Sequence, residues 1–157
     1  DMYHRLYGLE TVAFRYFNVF GPRQDPNSQY AAAIPKFITA LLQNKPPTIF
    51  GDGEQTRDFT YIQNVVNANL RAAELSDPDI FGKTYNVGCG GRISLNNLIS
   101  IIKQITGATV DPIYTDPRLG DVRDSQSDIQ KFQAAFGDDD NINLEEGLRK
   151  TLLYYSE

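Results

Sequence analysis

Hydrophobic residues recur along the chain in two patterns, one typical of strands and one typical of helices. Thr11 to Phe20 is nearly continuous in β-branched and aromatic residues, which predicts a strand covered on both faces. Ala31 to Asn44 carries apolar residues at helical spacing instead. Pro35 is tolerable there only in the first helical turn, so this helix should begin close to Ala33. A second short buried strand is predicted at Thr84 to Val87.

Further helices are predicted from capping residues and apolar spacing. The chain opens in a helix that ends at Gly8. The others are a helix from Asn64, as its N-cap, to Leu75; one opened by Ser94 and closed by Gly107; one from Asp128 to Phe136 capped by Ser127; and one from Asn143 to about Ser156, with Asn143 and Glu146 as a capping box.

A small hairpin is predicted between these helices. Pro46-Pro47 forces an extended stretch into TIF, GDGEQ forms a turn, and a second short strand runs from Thr56 to Ile62. Asp111 to Thr115 adds another strand. Strands separated by helices predict an α/β chain with parallel pairing, into which this one hairpin is inserted.

Composition narrows the class of protein. The 157 residues are 41% apolar, which fits one soluble domain with a core. The longest apolar runs are far shorter than the roughly 20 residues of a membrane span, and we expect a cytoplasmic protein. The net charge is −5 with no block of Lys and Arg, which gives no reason to expect nucleic acid or a membrane as a partner. One cysteine and one histidine cannot assemble a usual zinc site.

Candidate chemistry lies at the carboxyl ends of the predicted strands, because loops and helix N-termini converge there in parallel sheets. The first such stretch runs from Asn18 to Gln24. Asn18 offers an amide donor, Arg23 a guanidinium, and Gln24 both a donor and an acceptor. Such a set suits an oxygen-rich ligand.

Two further segments carry arginines. GDGEQTRDF places Arg57 in the predicted hairpin, and RLGDVRDS places Arg118, Asp121 and Ser125 in a polar loop. Two arginines on separate elements could converge on a diphosphate, which their planar groups bind in bidentate fashion. An aspartate beside them could accept hydrogen bonds from the vicinal hydroxyls of a ribose.

Local ion pairing is the alternative. Each arginine could simply pair with the acid beside it, Arg57 with Asp58 and Arg123 with Asp124. Spacing alone does not separate this interpretation from the diphosphate clamp.

Three stretches taken together resemble a known family: RYFNVFGPRQDPNSQYAAAIPKF, GDGEQTRDFTYI and GDVRDSQSD. The whole chain is similar to the C-terminal half of the extended short-chain dehydrogenase/reductases, which have a Rossmann-like fold. It most resembles the NAD-dependent nucleotide-sugar epimerases, of the UDP-N-acetylglucosamine and UDP-glucose 4-epimerase type. The resemblance implies the substrate-binding part of that fold, with two strands of the parent parallel sheet and a small hairpin.

The resemblance implies a role for each matching residue. Tyr16 and Phe17 would lie beside the nicotinamide ribose and ring of NAD, and Ala31 to Phe37 would cover the uracil of a UDP-sugar. The other implied roles are donation to the sugar-linked phosphate by Asn18, a diphosphate clamp of Arg57 and Arg118, ribose binding by Asp121, and a sugar pocket lined by Gln24, Ala32 and Ser125.

The family's other functional motifs do not occur in these 157 residues. The glycine-rich GxxGxxG loop that binds NAD and the catalytic YxxxK pair would precede Asp1. We therefore expect a fragment in which residues 1–157 form the substrate-binding region and the NAD-binding part is absent. Such a fragment should be inactive alone, should not hold NAD, and should self-associate through the surface left by truncation.

The implied reaction is inversion at C4 of a UDP-sugar through a 4-keto intermediate, with NAD as the hydride acceptor. Sister enzymes share this half of the fold, so a sugar-nucleotide 4,6-dehydratase or a UDP-glucuronate decarboxylase stays an alternative. A non-catalytic nucleotide-sugar binding module is another.

Overall fold

The computed structural model describes residues 1–27, 33–137 and 141–156. Helices and strands alternate along these ranges, with one 3-10 turn at Pro78–Ile80. The helices are α1 (Met2–Tyr7), α2 (Ala33–Leu42), α3 (Ile62–Glu74), α4 (Leu95–Thr106), α5 (Gln130–Phe136) and α6 (Leu144–Ser156). The strands are β1 (Val12–Tyr16), β2 (Val19–Phe20), β3 (Thr48–Phe50), β4 (Thr56–Arg57), β5 (Thr60–Tyr61), β6 (Lys83–Val87), β7 (Ile93–Ser94) and β8 (Ile113–Thr115).

The strands pair two by two and mostly in parallel. β1 pairs with β6 from Val12 opposite Lys83 to Tyr16 opposite Val87. β2 pairs with β5 and β3 with β8, also in parallel, whereas β4 pairs with β7 antiparallel. The predicted α/β class with parallel pairing is therefore confirmed.

The predicted hairpin around GDGEQ is wrong. β3 and β4 do not pair with each other, because the backbone groups of both are engaged elsewhere. The Gly51 amide donates to Thr115 beside β8, and the Phe50 carbonyl accepts from the side chain of Gln55. The turn itself is closed by the Asp52 carboxylate, which accepts from the Glu54 amide at 3.0 Å.

The strand predicted from Thr11 to Phe20 is divided into β1 and β2. Asn18 adopts a positive φ of 34°, which breaks the extended backbone between them. β1 is also covered on one face only, since Ala13 and Arg15 are exposed while Phe14 packs among the aromatic rings of Tyr85 and Phe136. The prediction that both faces are covered is wrong for the described residues.

The largest hydrophobic core lies where α2, α4 and α6 meet the short strands. Its fully buried side chains include Ile38 of α2, Ile102 of α4 and Leu148 of α6. Phe20 and Tyr61 extend it to the β2–β5 pair, with ring centroids 5.6 Å apart. The core thus anchors the segments on both sides of Asn18 and Arg57, which carry candidate site residues. Among the described residues, no helix has the length and apolar character needed to cross a bilayer.

Helix boundaries test the predicted caps. The Ser94 hydroxyl accepts from the Asn97 amide at 3.2 Å and caps α4 as predicted, and the Asn143 side chain accepts from the Glu146 amide at 3.0 Å. Asn64 is not a cap, because α3 begins at Ile62 and the Asn64 amide bonds both backbone groups of Ile142.

Candidate functional site

A cleft of about 410 Å³ opens between α2, β3, β4 and the loop that follows β8. We call it the main cleft. It brings together four predicted site residues that are far apart in sequence: Asn18, Arg57, Arg118 and Asp121. Ala33 and Phe37, at the start of α2, also line it. The main cleft is therefore where the predicted nucleotide-binding side chains converge.

Arg57 points across the main cleft. One of its terminal nitrogens donates to the Thr56 carbonyl at 2.8 Å, and the other forms an ion pair with Asp121. The Arg57 side chain is 16% exposed and that of Asp121 is 36% exposed. The local pairing of Arg57 with Asp58 is thus wrong, since the structure pairs this arginine with an acid 64 residues later.

Arg123 also does not pair with its neighbour. Its guanidinium makes a bidentate pair with Asp52, at 2.7 and 3.0 Å. This contact lowers the pKa of Asp52 from 3.8 to about 2, because hydrogen bonds from Arg123 and from the Glu54 amide favour the charged carboxylate. Asp124 instead accepts from the Thr56 hydroxyl at 2.6 Å. These contacts hold the 121–125 loop against β4.

Arg118 lies over the ring of Phe50, with its guanidinium carbon 3.8 Å from the ring centroid. This is the geometry of a cation–π contact. Stacking leaves the planar edge of the guanidinium, which carries the N–H donors, directed away from the ring face. Arg118 is therefore held beside the main cleft by β3.

Asn18 reaches the main cleft from the turn between β1 and β2. Its side-chain nitrogen donates to the Asp58 carbonyl at 2.9 Å. An amide nitrogen carries two hydrogens, so this bond uses one of them. The positive φ of Asn18 and this bond together set the direction of its side chain.

Asp58 is an organising residue that the sequence did not single out for this role. Its side chain is 1% exposed, and it accepts from the backbone amides of Cys89, Gly90 and Ser127 at 3.0 to 3.2 Å. The Ser127 hydroxyl donates to it as well. This bond explains why Ser127 does not cap α5, which begins at Gln130. An acid within a short buried strand was the available signal.

Other predicted site residues lie outside the main cleft. Gln24 donates to the Val19 carbonyl at 3.1 Å, and its own carbonyl accepts from the Tyr155 hydroxyl. Ser125 is half-buried, with its amide bonded to Thr56. Ala32, with most of the stretch before α2, lies outside the described residues.

The two residues predicted to contact NAD follow the end of β1. Tyr16 is 50% exposed, and its hydroxyl lies 3.1 Å from the side chain of Asn69 on α3. Phe17 is half-buried, and its amide donates to the Val87 carbonyl at 3.1 Å, which continues the pairing of β1 with β6.

Sequence reasoning missed several residues that line the main cleft. Phe50 and Phe59 carry no polar group, and only their positions on either side of the GDGEQTR turn place them there. Lys36 lies on the exposed side of the first turns of α2. Gln55 sits inside a quoted motif, yet nothing in its spacing distinguished it from the exposed polar residues of the turn.

Residues 1–88 match the model of the NAD dependent epimerase/dehydratase family. This stretch covers more than half of the chain and includes Asn18 and Arg57. The chain belongs to the NAD dependent epimerase/dehydratase family.

Individual members of the family match over nearly the whole chain. A putative UDP-glucose 4-epimerase of Methanocaldococcus jannaschii is 41% identical over 151 residues, which are 96% of this chain and 47% of the relative. A UDP-glucuronic acid decarboxylase of Xenopus tropicalis is also similar, at 32% identity, and the match covers 98% of this chain and 35% of that relative.

Solved structures of family members have the same fold. The UDP-glucose 4-epimerase of Thermotoga maritima, crystallised with UDP-glucose, matches with a TM-score of 0.91 and 40% identity. The UDP-N-acetylglucosamine 4-epimerase of Methanobrevibacter ruminantium, in complex with UDP-N-acetylmuramic acid, matches with a TM-score of 0.91 and 42% identity. Each match covers 99% of this chain and 48% or 49% of the other. The chain thus spans about half the length of the relatives it matches.

Proposed function

We propose that this chain is the UDP-sugar-binding part of an NAD-dependent 4-epimerase of the UDP-N-acetylglucosamine or UDP-glucose type. One observation carries the proposal: the main cleft holds Arg57 and Arg118 on separate elements, with Asp121 between them in the same opening. Two guanidinium groups beside an acceptor match a nucleoside diphosphate, whose phosphates are anionic and whose ribose carries hydroxyl donors.

The contacts of the free protein suggest how each group would act. Arg57 would exchange its partner Asp121 for phosphate oxygens, and Arg118 would add its N–H edge while its face stays on Phe50. Asn18 has a second amide hydrogen for the sugar-linked phosphate. Asp121, once released, would accept from the ribose. Ala33 and Phe37 offer an apolar wall for the uracil.

Tyr16 and Phe17 fit the edge of an NAD site. They lie at the carboxyl end of a parallel strand, where α/β folds bind dinucleotides, and Tyr16 presents an exposed ring. NAD, when bound, supplies the hydride acceptor for oxidation at C4 of the sugar. The residues of this chain would hold the UDP still while the resulting 4-keto sugar turns to present its other face.

The sugar pocket is the less defined part of the proposal. We assign it to Gln24, Ala32 and Ser125, near the acetamido group of an N-acetylhexosamine. Gln24 and Ser125 lie outside the main cleft, on segments that flank Asn18 and Arg57, so they would bound the sugar rather than the nucleotide. Catalytic tyrosine and lysine residues would lie outside these 157 residues, and the chain alone is expected to bind without turnover.

Titration calorimetry of the 157-residue chain tests the proposal. We expect UDP-N-acetylglucosamine and UDP to bind, and GDP and dTDP to bind more weakly. Arg57→Ala and Arg118→Ala should each weaken UDP binding by about 10- to 100-fold, the range expected for a lost charge-assisted hydrogen bond. Arg149→Ala is the control, since Arg149 pairs with Glu145 on the exposed side of α6. Equal binding of all three nucleotides, or no effect of the clamp variants, would contradict the proposal.

A decarboxylase is the second candidate, because the UDP-glucuronic acid decarboxylase of Xenopus tropicalis matches nearly the whole chain. A 4,6-dehydratase and a non-catalytic binding module share the same cleft. The products decide among them in the complete enzyme: an epimerase returns the C4 epimer with no loss of mass, a decarboxylase releases carbon dioxide, and a dehydratase releases water.

A further inference from the structure

Gln55 is buried at the boundary between the main cleft and a second opening. Only 5% of the residue is exposed, although the rest of the GDGEQ turn is largely open to solvent. It lines the main cleft with Arg57 and Asp121. It also lines a groove of about 440 Å³ on the other side of Arg118, which Asp121 shares. Gln55 and Asp121 therefore border the same two openings.

The orientation of the Gln55 side chain is set by one strong contact. Its Nε2 atom donates to the Phe50 carbonyl oxygen at 2.6 Å. The Leu95 amide donates to the Gln55 carbonyl at 3.3 Å and holds the backbone as well. The amide group is thus directed with its nitrogen toward β3, and its Oε1 atom must point away from that strand.

The Oε1 atom of Gln55 is buried and has no hydrogen-bond partner among residues 1–27, 33–137 and 141–156. Buried side-chain acceptors without a donor are uncommon in folded proteins, and they call for a group that completes them. The nearby cationic donors are already engaged: Arg57 with Thr56 and Asp121, and Arg118 with the Phe50 ring. A bound molecule that brings a hydrogen-bond donor would satisfy Oε1.

We propose that Gln55 Oε1 accepts a hydrogen bond from one ribose hydroxyl of the bound nucleotide, while Asp121 accepts from the other. The inference rests on the proposed function and extends it by one residue. A ribose presents two adjacent hydroxyls, each a donor, and Gln55 and Asp121 are acceptors that border the same openings. The pair would select a ribonucleotide over a nucleotide that lacks either hydroxyl.

Calorimetry with UDP, 2′-deoxy-UDP and 3′-deoxy-UDP tests this on the unaltered chain. Each deoxy analogue should bind about 5- to 10-fold more weakly than UDP, the effect of one lost hydrogen bond. If one analogue binds as tightly as UDP, Gln55 does not contact the ribose and the inference is wrong. If UDP itself does not bind, the proposed function fails instead, so the two failures are distinguishable.

Two variants assign the hydroxyls. In Gln55→Leu, one analogue should no longer differ from UDP, whereas in Asp121→Asn the difference should shrink for the other analogue. Gln63→Leu is the matched control, because Gln63 is exposed on α3 and bonds only its neighbour Asn67 at 2.9 Å. If Gln55→Leu weakens UDP and both analogues by the same factor, Oε1 serves a buried water or the fold alone, and the inference is overturned.

Discussion

Asp121 accepts a hydrogen bond from Arg57 across the main cleft, although 64 residues separate them in sequence. The carboxylate therefore occupies the place beside Arg57 that an anionic ligand would need. Under the proposed function, the same carboxylate then moves to the ribose. Nucleotide binding would replace one ion pair by two new contacts, so part of the binding free energy is spent on breaking the pair.

The ion pair gives opposite expectations for two ligands of Asp121→Asn. Pyrophosphate has no ribose and should bind up to about 5-fold more tightly, because Arg57 is released from a pair whose free energy is at most about 1 kcal/mol. UDP should bind more weakly, because a ribose contact is lost. Calorimetry with both ligands measures the two changes, and Asp116→Asn removes the same charge from the same loop as a control. A change of the same sign for both ligands would contradict the exchange of partners.

Removal of the Asp58 carboxylate should strongly destabilise the fold. Asp58→Ala leaves the buried amides of Cys89, Gly90 and Ser127 without their acceptor, and we expect a loss of at least about 3 kcal/mol in the free energy of unfolding. Urea unfolding followed by circular dichroism measures it. Asp111→Ala should cost less than about 1 kcal/mol, since Asp111 is largely exposed and pairs only with Lys103. Similar losses in the two variants would show that Asp58 is not the organising residue.

Gly147 lies where α6 approaches the β2–β5 pair. A Cβ atom there would come within 2.9 Å of the Phe20 and Tyr61 rings, both of them buried. Gly147→Ala should therefore lower the free energy of unfolding by about 1 to 3 kcal/mol. The helical preference of alanine, about 1 kcal/mol at most, should not compensate for this. Thermal unfolding measures the change, with Gly91→Ala as the control because no atom lies near its Cβ position.

The pair of Asp52 and Arg123 predicts a dependence on acid. The pKa of Asp52 is lowered from 3.8 to about 2 in the folded protein, so the pair stabilises the fold above pH 3.8 and this contribution is lost as the pH falls toward 2. An NMR titration of the Asp52 carboxyl carbon should show a midpoint near 2. In Arg123→Gln the midpoint should return toward 3.8. An unchanged midpoint would mean that the Glu54 amide alone holds the charge.

The chain should self-associate through the outer face of α3. Ile62, Val66 and Leu70 follow one another at helical spacing on that face and are 38%, 41% and 54% exposed. Sedimentation velocity over a range of concentrations should show dimers or larger species, and Val66→Glu with Leu70→Glu should shift the population to monomer. Leu153→Glu, at an exposed position of α6, is the control. A wild-type monomer at the highest concentration would rule this out.

Periodicity and caps predicted much of the fold. α2 with Pro35 in its first turn and α4 between Ser94 and Gly107 were predicted because their signals are local. The pairing of β3 with β8 was not, since these strands lie more than 60 residues apart and their partners are chosen by tertiary packing. The hairpin expected at GDGEQ failed for the same reason.

The candidate site divides in the same way. Arg57, Arg118, Asp121 and Asn18 could be named from residue type and resemblance, and the structure brings all four to one cleft. The roles of Asp58 and Gln55 could not, because they depend on which backbone groups lie opposite, 5 residues away for Gln55 and more than 30 for Asp58. Sequence spacing carries no information on such bonds.

The bond between Ser127 and Asp58 spans 69 residues. Contacts of such long sequence separation form late in folding, because the chain between them must first be ordered. The loops at Cys89–Gly90 and Ser127 can reach the carboxylate only after α3, β6 and α4 have taken their places. A partly folded chain would therefore have its helices but lack the organised cleft, and nucleotide binding would report that folding is complete.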